Sequence, residues 1–450
     1  MSITAILWAI LYLGAIGAAF FVNPVFGSVG YLLEYYMRPD LKWWGEDLPS
    51  LRYNLIVSVA LGVAFFVQRN SLREMVRVPN PALRWLAASA VLMLLVTATV
   101  AVSLEISLDK FILWAKMAMI FPLLVVGVVR TRDGFNWFVA AHMLGAFWWG
   151  WNAWMDPNRV QGRLINIGSG DSLNDNSAAI HLLTVLPFTV IYLLAEKDKW
   201  LRLAALVALP FVVNTLILCN SRGAMVGLAA ALGMAFFLVR SGYRMRMIGA
   251  AIGVALTVFF LADDTFIRRQ QTTTEFQEDN SSLERLASVT GTLRLMQERP
   301  FGAGGYGFHL LSPEYIPEVV AAHDGELRAP HNTWALVLSE WGVLGMICFL
   351  GVYGSAFLML RRVKKTARLR EDGFYFWRAV AVQLAIVAFL AAATFTDRLY
   401  AEGGYWMVAL SYVLYRMQQT DIVEETKSVT ARATPEAARA ASMWTPAHAR

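Results

Sequence analysis

Charge is scarce in this chain. Of its 450 residues 16% are charged and 57% are hydrophobic, a balance that excludes an ordinary soluble globular domain. Cysteine is nearly absent. Cys219 and Cys348 lie in or beside apolar runs, and neither has a CxxC or Cys/His neighbour, which argues against a disulfide framework and against a thiolate metal site. No Lys or Arg precedes the first apolar run, MSITAILWAILYLGAIGAAF, so that run reads as a retained helix and not as a cleaved signal peptide. Missing too are a Walker A lysine pattern, an HExxH and an Asp-x-Asp sugar-nucleotide signature, together with any heptad or internal repeat.

What is abundant is apolar sequence of roughly bilayer length, about 20 residues. Such runs lie near 4–22, 52–68, 85–103, 111–129, 135–151, 176–195, 201–219, 223–239, 247–262, 331–360, 376–396 and 403–416, which predicts an all-α polytopic membrane protein of about twelve spans. If the N-terminus is cytoplasmic, every short inner connection is basic (69–84, 130–132, 197–202, 240–246 and 361–370), as the positive-inside rule requires. Both termini are then expected inside. The long connections 23–51, 152–175 and 263–330 fall outside. The polar, Ala-rich stretch 417–450 reads as a disordered cytoplasmic tail. Sixteen Trp, clustered as in Phe147 to Trp154, fit an interfacial belt, with sugar stacking as the alternative.

Within the outer segment 263–330, Ser281-Ser282 followed by Leu283, Leu286, Val289, Leu293 and Met296 predicts an amphipathic helix with a Ser cap, ended by Pro300 and lying on the membrane surface or over a cavity. Asp263-Asp264 reads as a span cap. Gly302 to Gly307 satisfies G-x-G-x-x-G, but it follows Arg-Pro-Phe and not a strand, so it reads as a flexible, close-packing loop and not as a dinucleotide site.

A few residues break the rules of their setting. Arg222 opens the eighth span on the outside, where positive residues are disfavoured and the helix end is already positive, so it calls for an anion. Ser221 is a natural cap there, and the amides of Gly223 and Ala224 point the same way, the makings of a phosphate site. The alternative is an Arg snorkelling to headgroups or paired with an acid. Arg285 breaks the same dipole rule, with Glu284 beside it as the plainer explanation; Gly223 and Gly227 suit close helix packing.

His331, after Pro330, is expected in the first turn of the tenth span, where the positive helix end keeps the imidazole neutral and suited to general-base work at the outer face. A histidine that merely bonds the backbone is the competing reading. Glu340, nine residues on, is expected about 13 Å away on the opposite face, as a buried pairing group that fixes neighbouring spans.

Taken together, the order Ser221-Arg222-Gly223, then Arg285, then Pro300 to Gly305, then His331-Asn332 leading into Leu338 to Gly345, resembles the O-antigen ligase and polymerase superfamily over about residues 160 to 400. Asn174-Asp175-Asn176 resembles its Asp-Pro-Asn element, and EYYMRPDLKWW resembles the branch of O-glycosylation ligases associated with exosortase systems. Val289, where many relatives have Trp, and Ser177, in place of an acid, depart from the pattern. The resemblance implies a bacterial inner-membrane glycosyltransferase that moves a glycan from undecaprenyl diphosphate, or a related polyprenyl diphosphate, to a hydroxyl of a lipid or protein acceptor at the periplasmic face. It implies His331 as base, Arg222 and Arg285 on the diphosphate, and Ser221, Asn332, Asn176, Arg163 and Arg328 in support. It implies no cofactor, no metal and no nucleic acid. Residues 1–150 would form five N-terminal spans and 151–416 the ligase-like core. A polymerase of the same superfamily, a lipid-linked sugar flippase and a non-catalytic assembly partner are the alternatives.

Overall fold

In the computed structural model, which describes residues 2–160, 162–239, 241–261, 267 and 280–443, the chain is a helical bundle with one two-residue hairpin, Arg159–Val160 against Arg163–Leu164. Asp263 and Asp264 lie outside the described residues. In chain order the helices are α1 (Ile3–Phe21), α2 (Val25–Met37), α3 (Tyr53–Gln68), α4 (Pro81–Thr99), α5 (Leu104–Val128), α6 (Arg132–Met155), α7 (Asp175–Ala195), α8 (Lys199–Leu218), α9 (Arg222–Leu238) and α10 (Ser241–Leu261). They are followed by α11 (Asn280–Glu298), α12 (Gly307–Tyr315), α13 (Pro317–Ala321), α14 (Thr333–Leu369), α15 (Gly373–Ala392) and α16 (Glu402–Met443). Each of the twelve expected spans falls on a helix. Seven helices among the described residues are long and apolar enough to cross a membrane, and α3 and α9 are shorter apolar ones.

The helix starts follow from the sequence. Asn80, Ser103, Thr131, Asn174, Asp198, Ser221, Asn332 and Asp372 all cap helices by accepting first-turn amides. Where lipid offers no hydrogen bond, those otherwise orphaned amides need such partners.

The first correction concerns the N-terminus. The amide of Ser2 donates to Asp47 at 2.6 Å, Tyr12 donates to the carbonyl of Tyr53 at 2.7 Å, and Gln68 donates to the carbonyl of Ala19 at 2.7 Å. Helices α1 and α3 therefore run parallel, and the N-terminus lies at the end of the bundle that was expected to be outer, not beside the basic loops. The return pass is α2, within the stretch expected to be an outer loop. Its start, Val25, packs on Gly134 at the basic end, and its last turn holds Trp149, whose indole donates to the carbonyl of Tyr36 at 2.8 Å. The α1–α2 turn, Val22-Asn23-Pro24, carries no Lys or Arg, and α2 has only 13 residues including Glu34 and three Tyr. Neither signal of a crossing was present.

The C-terminal expectation is also corrected. Helix α16 continues past Met417 to Met443, and Met417, Gln418 and Thr420 are buried. Asp421 docks it on the basic end through Arg73 (2.8 Å) and Arg132 (2.9 Å), with the Tyr375 hydroxyl at 2.7 Å. Polar composition alone missed this because ion pairs, not apolar burial, hold the segment; residues 444–450 lie outside the described residues.

Two elements of the end expected to be outer differ from expectation in an instructive way. Helix α11 begins by Asn280, so Ser281 and Ser282 lie within it, and it turns Ser288, Thr292 and Leu295 into the protein while Leu283, Leu286 and Leu293 are exposed. The apolar stripe thus faces outward, the disposition of an interfacial helix. Helix α14 is broken at Gly342 (φ 70°, ψ −172°). The carbonyls of Ser339 and Glu340, freed by the break, accept the amides of Ala303 (2.8 Å) and Gly304 (2.9 Å), and the amide of Val343 donates to Pro300 at 3.3 Å. The glycine-rich loop is therefore a plug that satisfies a broken helix inside the bundle. Gly302 and Gly304 take positive φ there, and a Cβ on Gly302 would strike the Glu340 carbonyl.

Candidate functional site

The site is organised by the connection between α15 and α16. Helix α15 ends in a 3-10 turn, Ala393–Phe395, and the chain then passes Thr396, Asp397, Arg398 and Tyr400 before α16. Thr333, the first residue of α14, staples this loop: its hydroxyl donates to the carbonyl of Thr396 at 2.7 Å and accepts the amide of Arg398 at 2.8 Å.

His331 is not in the first turn of α14. Asn332 is the cap, with its side chain accepting the amides of Trp334 and Ala335, and His331 stands one residue outside in a left-handed conformation (φ 49°). The rule that places Pro at the first helical position pointed one turn too early; the Asx cap two residues later is the stronger signal. The partner of His331 is a carboxylate that sequence reasoning missed. Nδ1 lies 3.8 Å from Asp397 Oδ2, and the other Asp397 oxygen accepts the amide of Asn332 at 3.0 Å. Burial pushes the Asp397 carboxyl above its ordinary range, with His331 and the two backbone amides pulling the other way. The imidazole remains half-exposed, at 49%.

Arg222 is the first residue of α9, and Ser221 caps that helix by accepting the amide of Ala224 at 3.3 Å. Gly223, next in line, packs so closely on Phe395 that a Cβ would stand 2.7 Å from that residue's own Cβ. The guanidinium of Arg285 lies over the same Phe395 ring, 5.8 Å from its centre. The start of α9, one residue after Arg222, and the Arg285 guanidinium thus meet on one aromatic side chain, two residues from Asp397. Gly227 packs on Ala388 and Ala392 of α15, the close approach expected of the small pair. Glu284 turns to His323 (3.4 Å) and Arg328 (3.8 Å).

The remaining expected residues sit around this centre. Arg163 pairs with Asp175 at 3.1 Å, beside partly buried Asn176 in the first turn of α7. Close by, Asn220 is buried with its side-chain oxygen lacking a hydrogen-bond partner. Glu340 is buried just before the α14 break, accepting the amide of Tyr306 at 2.7 Å and the hydroxyl of Tyr400. Its hydrogen-bond partners are an amide and a phenol, and Lys110 acts on it electrostatically from beyond ion-pair distance.

A second polar network lies deeper and was not foreseen. Arg398, 3% exposed, donates to the Asp171 carbonyl (3.0 Å) and carboxylate (3.1 Å) and to Ser172 (3.1 Å). Tyr35 donates to the same carboxylate at 2.8 Å, and the Tyr36 hydroxyl bridges His142 and His181, 2.8 Å from each. The Trp cluster splits accordingly, with Trp149 in this core and Trp154 exposed. The signal was available: His142 and His181 are ionisable residues inside apolar runs, which membrane burial makes expensive. Among the described residues no three His, Cys, Asp or Glu side chains converge as a metal-ligand set, and both cysteines are free and buried.

Residues 203–350 match the protein family described as O-antigen ligase. That stretch, a third of the chain, contains Arg222, Arg285, His331 and Glu340 and the glycine-rich plug, but not Arg163 or Asp397. No curated protein matches the chain. The match supports an enzyme of the O-antigen ligase type acting in a membrane on lipid-linked glycan.

Proposed function

We propose that the chain transfers a glycan from a polyprenyl diphosphate carrier to an acceptor hydroxyl at the end of the bundle that carries His331, the periplasmic face of a bacterial inner membrane. The observation that carries this reading is the convergence of the α9 start that Arg222 opens, of Arg285 and of the His331–Asp397 pair on one short loop, residues 395–397.

The chemistry follows from the parts. Breaking the bond between the anomeric carbon and the diphosphate oxygen leaves its electron pair on the diphosphate, and two guanidiniums are the groups best shaped to hold that charge. The α9 N-terminus adds its amides and its dipole. On the opposite side of the anomeric carbon the acceptor oxygen forms the new bond, and its proton passes to His331. Asp397, beside Nδ1, favours the tautomer with the hydrogen there and leaves Nε2 as the basic nitrogen. The half-exposed ring then returns its proton to solvent. The donor is already activated, so no step calls on ATP or a metal.

The test is reconstitution of the full chain in liposomes with a lipid-linked oligosaccharide and candidate lipid and protein acceptors, followed by mass spectrometry. A single glycan joined to a lipid or protein acceptor supports transfer. Lengthened carrier-linked glycan would replace the reading with a polymerase, and unmodified glycan moved across the bilayer would replace it with a flippase.

A further inference from the structure

At the Tyr400 end of the 395–400 loop stands a cluster that the transfer reading has not used. Lys110, on α5, places its ammonium 4.5 Å from the ring centre of Tyr306 and 5.7 Å from that of Tyr400. Among the described residues no carboxylate lies within ion-pair distance of it. His309 packs on Tyr306 with ring centres 4.0 Å apart, and its Nδ1 is buried without a hydrogen-bond partner. Burial pushes this imidazole below its usual range, and Lys110, His331 and Arg328 push the same way, which places His309 within the field of both the lysine and the base.

The cluster is built, not incidental. Ser107, one turn before Lys110, accepts the amide of Gly305 at 2.9 Å, and the amide of Val102 donates to Ala303 at 2.9 Å, so the glycine-rich plug is tied to α5 as well as to α14. Gly305 leaves room for the lysine stem, since a Cβ there would stand 2.6 Å from the Lys110 Cβ. Glu340 fixes both tyrosines at once, through the Tyr306 amide and the Tyr400 hydroxyl.

Geometry of displacement decides what this flank is for. An acceptor oxygen must reach the anomeric carbon from the side opposite the leaving diphosphate. With the α9 start and Arg285 at the Phe395 end of the loop and His331 at Asp397, the acceptor is left the Tyr400 end. Glu340 is the acid nearest in effect, acting on Lys110 from beyond ion-pair distance. An ammonium over aromatic faces with no carboxylate in direct contact, beside a buried imidazole nitrogen, recognises an anion attached to a sugar: the cation takes the charge, the rings take the sugar's C–H face.

We infer that Lys110, Tyr306 and His309 form an acceptor subsite for an acidic saccharide, one carrying a carboxylate or phosphate close to the reacting hydroxyl. This rests on the transfer reading for its direction of attack, but not for its chemistry.

The experiment is equilibrium binding of octyl glucuronide and octyl glucoside to the purified full chain below their micellar concentrations, with binding of a polyprenyl diphosphate measured on the same samples. The glucuronide should bind at least about tenfold more tightly than the glucoside, the effect of one charged contact, and added salt should narrow the gap. Lys110→Met, which keeps the stem, should abolish the preference, and Lys110→Arg should keep most of it. Both should bind the diphosphate as the native chain does, which also certifies their fold. Equal binding of the two glycosides, binding of neither, or a preference that survives Lys110→Met would overturn the subsite. Failure of the native chain to bind the diphosphate, with the preference intact, would instead remove the transfer reading and leave the subsite standing.

Discussion

Replacing Gly342 by Ala gives opposite signs for a straight and a broken helix. In the interior of a straight helix the change stabilises by about 1 kcal/mol. In this structure Gly342 has φ 70° and ψ −172°, a region that is essentially closed to other residues and costs about 1–3 kcal/mol to occupy. Its new Cβ would also stand 2.5 Å from the Phe301 carbonyl carbon and 2.6 Å from the Pro300 oxygen, backbone atoms that cannot rotate aside. If the plug moves out to relieve this, it gives up three backbone hydrogen bonds, those of Ala303, Gly304 and Val343, each worth about 0.5–1.5 kcal/mol. Either route destabilises, by roughly 1–4.5 kcal/mol. Gly354, in the same helix with nothing within 4 Å of where a Cβ would stand, is the matched control and should be neutral or slightly stabilised as Ala. Cys219 and Cys348, free and buried, make a thiol-reactive dye a direct reporter of unfolding in detergent. The Gly342→Ala midpoint should fall by several degrees below Gly354→Ala; equal midpoints would refute the break and the docking of the plug on it.

Four further outcomes are expected. Arg222→Lys should weaken donor binding despite keeping its charge, because the planar fork that grips two phosphate oxygens is lost, whereas His331→Ala should leave donor binding intact and slow transfer about 10² to 10⁴-fold; transfer at the native rate by His331→Ala would end the general-base assignment. His309 is held below its usual range when folded, so the unfolded chain binds the proton first and stability falls as the pH drops below about 6.5, the ordinary histidine value; thermal midpoints from pH 8 to 5 should show this, and His309→Asn should flatten the slope. Cysteine introduced at Ser2 should label from the same side as one at Asp324, and from the opposite side to one at Thr366; labelling of Ser2 with Thr366 would restore a cytoplasmic N-terminus. EDTA should leave transfer unchanged, and loss restored by magnesium would require a metal on the diphosphate.

Much of the bundle was legible because its determinants are local. Apolar length set the spans, and Asn, Ser, Thr and Asp caps set their starts. What stayed hidden depends on pairing across the chain. Helix α2 is short and tyrosine-rich because its neighbours, not lipid, surround it: Tyr31 stacks on Phe121 and Tyr36 reaches His142 and His181. Asp397 is one acid in a short loop, and only the 66-residue return from His331 to the end of α15 makes it that histidine's partner. Arg285 was read against Glu284, its neighbour in sequence, yet Glu284 turns to residues some 40 positions on. The glycine-rich loop was read as close-packing but flexible, since nothing local announces that the carbonyls it satisfies belong to a helix broken at Gly342.

That break explains why the parts of the site can be held in register at all. The first segment of α14, Thr333 to Trp341, is a rod of about 12 Å. At its start Thr333 and Asn332 hold residues 396–398, and so Asp397 against His331. At its far end Ser339 and Glu340 hold residues 303–306, and so Tyr306 beneath Lys110. An unbroken helix would keep the carbonyls of Ser339 and Glu340 for its own next turn and have none to offer the loop. One glycine in a conformation closed to other residues thus exchanges two helical hydrogen bonds for the anchoring of a second loop on the same rod, and His331 and the lysine flank become rigidly related through nine residues of backbone.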